Sequence, residues 1–366
     1  MLPTLLTLAN MSDDEASDPP PISHIVTVEE MLNAGLRLLY SDGRIKRARG
    51  KTNVKRFNDS FGVYPRTACQ IYEHLQTTTI DAAKVDNTGP LHLQYFLIAL
   101  YFLRLYPTRG ELEQRFDVSK GYLAKKCWEW VARIAALKEE VITFSNPDDI
   151  WIMTVDGTHV WIQEPNHPVF SQDKDYYSHK YNKAGMSCEI GISLKGGVVW
   201  LNGPFPAGTS DLKIFRKEGG LRDRLRAIGK RCIADRGYRA EEDVDVVSSP
   251  NLHDSVQVAL FKSRALMRHE NFNSMTKVFQ ILAGRFHHSK EQFASAFTAV
   301  CVLCQYKLQH ETPLYDVLIP AVIDGNRGGK YVNEVNSSSD DDSSDDDTTD
   351  GDDDTNDNAE EALFDP

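Results

Sequence analysis

Positive charge is missing from both ends of this 366-residue chain. Residues 1–30 hold 6 Asp/Glu and residues 334–366 hold 15, and neither stretch has a single Lys or Arg. The formal net charge of −12 therefore misdescribes the part that can fold. Of 53 acids, 32 remain between the two ends against all 41 bases, a surplus of +9. A basic body is compatible with a polyanion partner but is not specific for one. Cysteine is scarce and scattered, at 69, 127, 188, 232, 301 and 304. The one CxxC, Cys301 with Cys304, lies in the apolar "AFTAVCVLCQYKL", and no second pair completes a zinc site, so both read as core. "MLPTLLTLAN" is too short and lacks the positive start of a secretory leader, so a reducing, intracellular setting is expected. No apolar run reaches the ~20 residues that a spanning helix needs. "LHLQYFLIALYFLRLYP" (91–107) comes nearest, but Gln94 and Arg104 interrupt it, and it reads as a buried helix with no membrane role.

What is present argues for a globular protein: 41% hydrophobic residues and 16 Phe. Residues 1–24 are acidic, proline-containing and expected to be disordered. Residues 25–147 read as helical, with apolar positions at 3.6 spacing in "TVEEMLNAGLRLLY", "RTACQIYEHL" and "YLAKKCWEWVARIAALKEEV". Between the first two of these, "GRIKRARGKTNVKR" (43–56) packs seven Lys/Arg into 14 residues, among them Arg44, Lys46, Arg47 and Arg49. It reads as a solvated loop, a phosphate-contacting arm or a nuclear-import signal. "RGELEQRFDVSKGYLAKKCWEW" (109–130) has helix-turn-helix grammar: a short helix with Leu112, a turn at Asp117 and Val118, Ser119 as N-cap, and a second helix with Leu123, Cys127 and Trp128. Lys120, Lys125 and Lys126 on that second helix are candidate DNA contacts, although any helical hairpin can carry this pattern. His287-His288 reads as a solvated loop pair.

The character changes at Ile150. Strand-like runs occupy 150–162, 187–194, 197–203 and 230–235, and "SVQVALF" (255–261) is a possible fifth. Helical patterning starts at Ser210 and returns from Arg264 to Gln309. Residues 148–312 thus read as an α/β unit with a mixed sheet flanked by helices, and 313–366 as an acidic low-complexity tail.

One strand is interrupted by a carboxylate. In "TVDGTHVWI" (154–162), Asp156 and Gly157 sit inside an apolar run. Asp-Gly between apolar arms is first of all a hairpin signal. Other acids occupy comparable places. Asp235 closes the strand-like "RCIAD", where open α/β sheets assemble sites. Asp211 follows the N-cap Ser210 and, taken alone, complements a helix dipole. Glu270 shares a helix side with Asn273 and Lys277, opposite Phe272, Met275, Phe279 and Leu282. Asp235 and Glu270 are 35 residues apart.

With these motifs in place, the segment from about Ile150 to Gln309 resembles the nuclease domain of DDE-type transposases, most closely the PIF/Harbinger-like branch. The resemblance rests on "VDGTH", "DYYSHKYNK", "PFPAGTSDLKIF", "IADRGYRA" and "RHENFNSMTKVFQIL…VCVLCQYKL". It implies a ribonuclease-H-like fold, catalytic acids Asp156, Asp235 and Glu270, and Asp211 as a further acid at a Mg²⁺ or Mn²⁺ site. It also implies double-stranded DNA as substrate, a homo-oligomer on DNA, a separately encoded DNA-binding partner, and action in the nucleus. Arg268 and Lys277 are weaker candidates for holding the scissile strand. His159, three residues after Asp156, points to the other sheet face and reads as a packing or positioning group. "NSMTK" departs from the glycine-containing pattern that often follows the glutamate in this family. A copy that binds DNA without cutting it is therefore an alternative, and a helix-turn-helix regulator, which leaves the four acids unexplained, ranks last.

Residues 336–358 are almost only Ser, Thr, Asp, Asn and Gly. Solubility is the plain role for such a tract; mimicry of nucleic acid is the sharper one. Deleting residues 334–366 is then expected to tighten non-specific DNA binding at low salt. Unchanged affinity in a filter-binding assay would contradict the mimicry.

Overall fold

The computed structural model describes residues 25–40, 44–45, 49–78, 90–144, 149–163, 174–178, 180–238 and 240–320. The expected disorder at 1–24, the candidate contacts Lys46 and Arg47, and the tail from 321 lie outside the described residues.

A helical layer comes first. At the start of α1 (Val28–Leu39), the Thr27 hydroxyl accepts from the Glu30 amide and the Glu30 carboxylate accepts from the Thr27 amide, a reciprocal cap. α2 (Gly50–Phe61) takes in the second half of the basic run. Asn53 and Phe57 are buried there, so that half is a packed amphipathic helix and not a loop. Next come α3 (Pro65–Thr77), α4 (Pro90–Leu105), α5 (Arg109–Phe116), α6 (Lys120–Ala136) and the short α7 (Lys138–Val141). α4 is the apolar run, and every side chain from Phe96 to Leu103 is buried. Among the described residues no helix is long and apolar enough to cross a membrane. α5 and α6 are joined through Asp117, whose left-handed backbone (φ 52°) ends α5. Ser119 takes the N-cap position of α6, but its hydroxyl makes no capping bond.

The strand-like stretch around Asp156 does not turn back. β1 (Trp151–Trp161) is one continuous strand, and its pairing with β3 (Lys183–Ser193) runs without a break from Met153↔Ser193 to Trp161↔Gly185. The Asp-Gly pair is inside the strand, with no bulge there on the β3 side. β2 (Tyr177–Ser178) and β4 (Val198–Pro206) pair with the far edge of β3, both antiparallel. On the other edge of β1 lie β5 (Arg231–Ile233) and then β6 (Val247–Ser248), both parallel to their neighbours. The result is a mixed six-stranded sheet flanked by helices. Helices α8 (Asp211–Phe215) and α9 (Leu221–Ile228) link β4 to β5. "SVQVALF" is helical, not a strand: Ser255 caps α10 (Val256–Lys277) by accepting from the Val258 amide. α11 (Gln280–Ala283) and α12 (Lys290–His310) complete the order.

Two apolar cores hold the sheet. One joins the helical layer (Phe57, Phe96, Trp130) to Val160, Ile190 and Ile192 and to α12, where Cys301 and Cys304 are fully buried. The other packs Met153, Val155 and Cys232 against Phe215, Leu225 and Tyr238. His288 is more enclosed than a solvated loop residue: its ring lies 5.0 Å from that of Trp128, and Nδ1 meets the Tyr106 hydroxyl at 2.7 Å.

Candidate active site

β1 is hydrogen-bonded on both edges, so alternate side chains are directed firmly to opposite faces. One face meets α10. There the Thr154 hydroxyl lies 2.8 Å from His269 Nδ1, and Asn273 Nδ2 donates to Asp156 Oδ2 at 3.0 Å. The second carboxylate oxygen of Asp156 accepts from the Gly157 amide at 2.8 Å. Asp156 is therefore fixed through both oxygens, half-buried at the middle of a rigid strand.

Gly157 serves the opposite face. A Cβ placed on it would come within 2.4 Å of Asp211 Oδ1. Glycine is needed there because Asp211 occupies the space that a side chain would fill. Asp211 is the first residue of α8, behind Ser210, whose hydroxyl accepts from the Lys213 amide. Asp235 lies two residues beyond β5, the parallel neighbour of β1, and is exposed. Its Oδ1 accepts from the Gly237 amide at 2.8 Å. Glu270 is exposed on α10, one turn before Asn273.

The fields of the other three acids reach Asp156. Burial above all pushes the Asp156 carboxyl up to about 7; the Gly157 N–H opposes this, and the fields of Glu270, Asp235 and Asp211 reinforce it. Burial and then Asp235 raise Asp211, against the pull of Lys180. Asp211 thus carries a penalty for its charge and is not simply a helix-dipole partner. Among the described residues no three His, Cys, Asp or Glu side chains form a closed metal-ligand set. The chemistry of the donors nevertheless suits a hard divalent ion. All four are oxygen ligands, and their mutual repulsion is what a cation relieves.

The cations separate into two groups. Arg268 is 1% exposed, and its guanidinium donates to the carbonyls of Leu194 (2.7 Å), Ser193 (2.8 Å) and Tyr315 (3.4 Å). It is a structural tie between loops and is not available to a DNA strand. Lys277 Nζ donates to the carbonyls of His159 (2.5 Å) and Leu282 (3.2 Å), which pins α10 to β1. Burial lowers its ammonium to about 8. Arg44, Arg49, Lys120 and Lys125 are exposed, whereas Lys126 is half-buried and pairs with Glu129 at 2.9 Å.

Two residues near the acids carried no role in the sequence reading. Asn273 was placed on the polar stripe but not as the group that holds Asp156. Glu189 stands opposite Gly157 on β3, fully buried, and accepts from Trp200 Nε1 at 2.8 Å. Burial raises its carboxyl to about 7, against the Trp200 and Asn202 bonds, and Asp211 adds to the rise. The signal was present: "SCEIGISL" interrupts an apolar strand with an acid just as "TVDGTHV" does.

Residues 155–305 match the family model of the DDE superfamily endonucleases. The match spans Asp156, Asp211, Asp235 and Glu270, so this part of the chain is similar to the DDE superfamily endonucleases. No curated protein and no solved structure matches the chain.

Asp156 keeps its proton in the folded chain between its ordinary value of 3.8 and about 7, a window in which the unfolded chain has lost it. Stability of the metal-free protein should fall as pH rises through that window. Asp156→Asn removes this penalty. It is expected to raise Tm by roughly 2–6 °C at pH 8 and to leave it unchanged at pH 4. An equal shift at both values would contradict the ionisation cost.

Proposed function

We propose that residues 148–312 form a ribonuclease-H-like, divalent-metal-dependent DNA endonuclease and strand-transfer domain of the PIF/Harbinger-like transposase type. The observation that carries this reading is the electrostatic coupling of Asp156 to Asp211, Asp235 and Glu270, acids from four separate elements, inside the segment matched by the endonuclease family. The sheet supports it too: three antiparallel strands, β4, β3 and β1, are followed by the parallel β5 and β6.

In this reading Asp156, Asp235 and Glu270 are the catalytic acids, and Asp211 adds a fourth ligand for Mg²⁺ or Mn²⁺. Ions held by these carboxylates would supply activation of an attacking water or 3′-hydroxyl and charge stabilisation at the leaving oxygen of the phosphodiester. The protein's own residues do the positioning. Asn273 and the Gly157 amide orient Asp156, the Gly237 amide orients Asp235, and Gly157 admits Asp211 to the strand. The buried Lys277 fixes the distance between α10 and β1, and so between Glu270 and Asp156.

The helical region from 25 to 147 recognises element ends through α5 and α6 as a helix-turn-helix. Lys120 and Lys125 contact phosphates, and the 43–56 tract adds Arg44 and Arg49. The protein works in the nucleus, as a homo-oligomer on double-stranded DNA and with a separate DNA-binding partner.

Supercoiled plasmid incubated with Mg²⁺ or Mn²⁺ tests this reading. Wild type is expected to nick it, and Asp156→Asn, Asp235→Asn and Glu270→Gln each to reduce nicking by at least ~10²-fold. DNA binding without nicking by wild type would favour the alternative, an inactive copy that acts as a DNA-binding protein. Equal nicking by Asp156→Asn would defeat the assignment of the acids.

A further inference from the structure

The face of β1 that carries Gly157 continues past the acids as Gly157, His159 and Trp161, spaced at about 6.8 Å by the strand period. The residues at the start of β3 and just before it fold alongside. Tyr181 packs its ring 4.8 Å from the His159 imidazole, edge to face. Lys180 Nζ lies 5.3 Å from the centre of the Tyr181 ring, and Lys183 Nζ lies 3.2 Å from the centre of the Trp161 ring. Both rings remain 42% exposed. His159 is held neutral, pushed down to about 4 by burial and then by Lys180 and Lys277, so it backs Tyr181 as a packing group and not as a charge. Gly157, at the head of this row, abuts the Asp211 carboxylate, which places the row beside that acid.

Trp161 and Tyr181 differ from the other exposed apolar residues in lying along one row, each with an ammonium group against its ring. Ammonium groups beside exposed rings match a polyanion whose units also have flat faces. Aromatic platforms flanked by lysines bind single-stranded nucleic acid, with the ring stacking on the base and the cation meeting the phosphate. A base inside a duplex has both faces covered by its neighbours and cannot stack on Tyr181 or Trp161.

We propose that Tyr181 and Trp161, with Lys180 and Lys183, form a subsite for unpaired nucleotides of the DNA strand next to the phosphodiester held by the acids. This rests on the reading of the domain as a DNA nuclease. It narrows the substrate to DNA that is frayed or single-stranded beside the cut. His159 is a positioning residue for Tyr181.

Binding measured by fluorescence anisotropy on the full chain, in EDTA, separates this claim from catalysis. The probes are a labelled oligothymidylate and a labelled duplex of equal length. The double variant Trp161→Ala/Tyr181→Ala is expected to weaken oligothymidylate binding by at least about tenfold and duplex binding by less than about threefold. The variant Trp161→Phe/Tyr181→Phe keeps both rings and is expected to bind oligothymidylate within about threefold of wild type, which controls for folding. Undetectable oligothymidylate binding by wild type, an unchanged affinity in the alanine variant, or equal losses on both probes would each overturn the subsite. Because no metal is present, a failure of plasmid nicking leaves this result readable.

Discussion

The site depends on one constraint: β1 is paired with β3 from Met153 to Trp161 and anchored at its start by β5. The antiparallel ladder to β3 and the parallel one to β5 leave the strand no freedom to rotate. Every side chain on it is therefore committed to one face or the other. Asp156 meets α10, and the vacant face of Gly157 meets α8. A one-residue slip would turn Asp156 away from Asn273 and bring a Cβ against Asp211. The local sequence Asp-Gly, which in a free chain favours a turn, is overruled by nine consecutive pairs with β3 and by burial on either side.

Around this strand the protein accepts an electrostatic cost. Asp156 and Asp211 are both raised by burial and by other acids of the group, and Glu189 is raised by burial beneath them. Stability alone would favour neutral residues at these positions. The scaffold absorbs the cost elsewhere, with two apolar cores and buried tethers. Arg268 ties α10 to the loop after β3, and Lys277 ties it to β1. Arg268 and Lys277, on the same helix as Glu270, thus do mechanical work, while exposed cations lie elsewhere, at Lys180 and Lys183 and on the helical layer.

Much of this was legible from residues. The strand position of Asp156, the place of Asp235 just past a strand's end, the helix start at Asp211 and the polar stripe Glu270–Asn273–Lys277 all follow from period and capping. The misreadings have tertiary causes. Arg268 is on the same helix as Glu270, but its burial depends on carbonyls from 193, 194 and 315, which no helical period reveals. "SVQVALF" has the β-branched look of a strand, yet Ser255 caps it into α10 because the segment returns along the sheet face. The second half of the basic tract became helix α2 once Phe57 found a core to enter. Glu189, a single acid in an apolar strand, is a weak signal until its cross-strand partner, Gly157, is known.

The central claim is that Asp156, Asp235 and Glu270 converge on a divalent ion. Anomalous diffraction from a crystal soaked in Mn²⁺ tests it most directly. The expected result is a Mn²⁺ peak ligated by Asp156 and Asp235, with Glu270 or Asp211 completing its shell. Peaks only at other sites, or saturating Mn²⁺ with none between β1 and the end of β5, would contradict it.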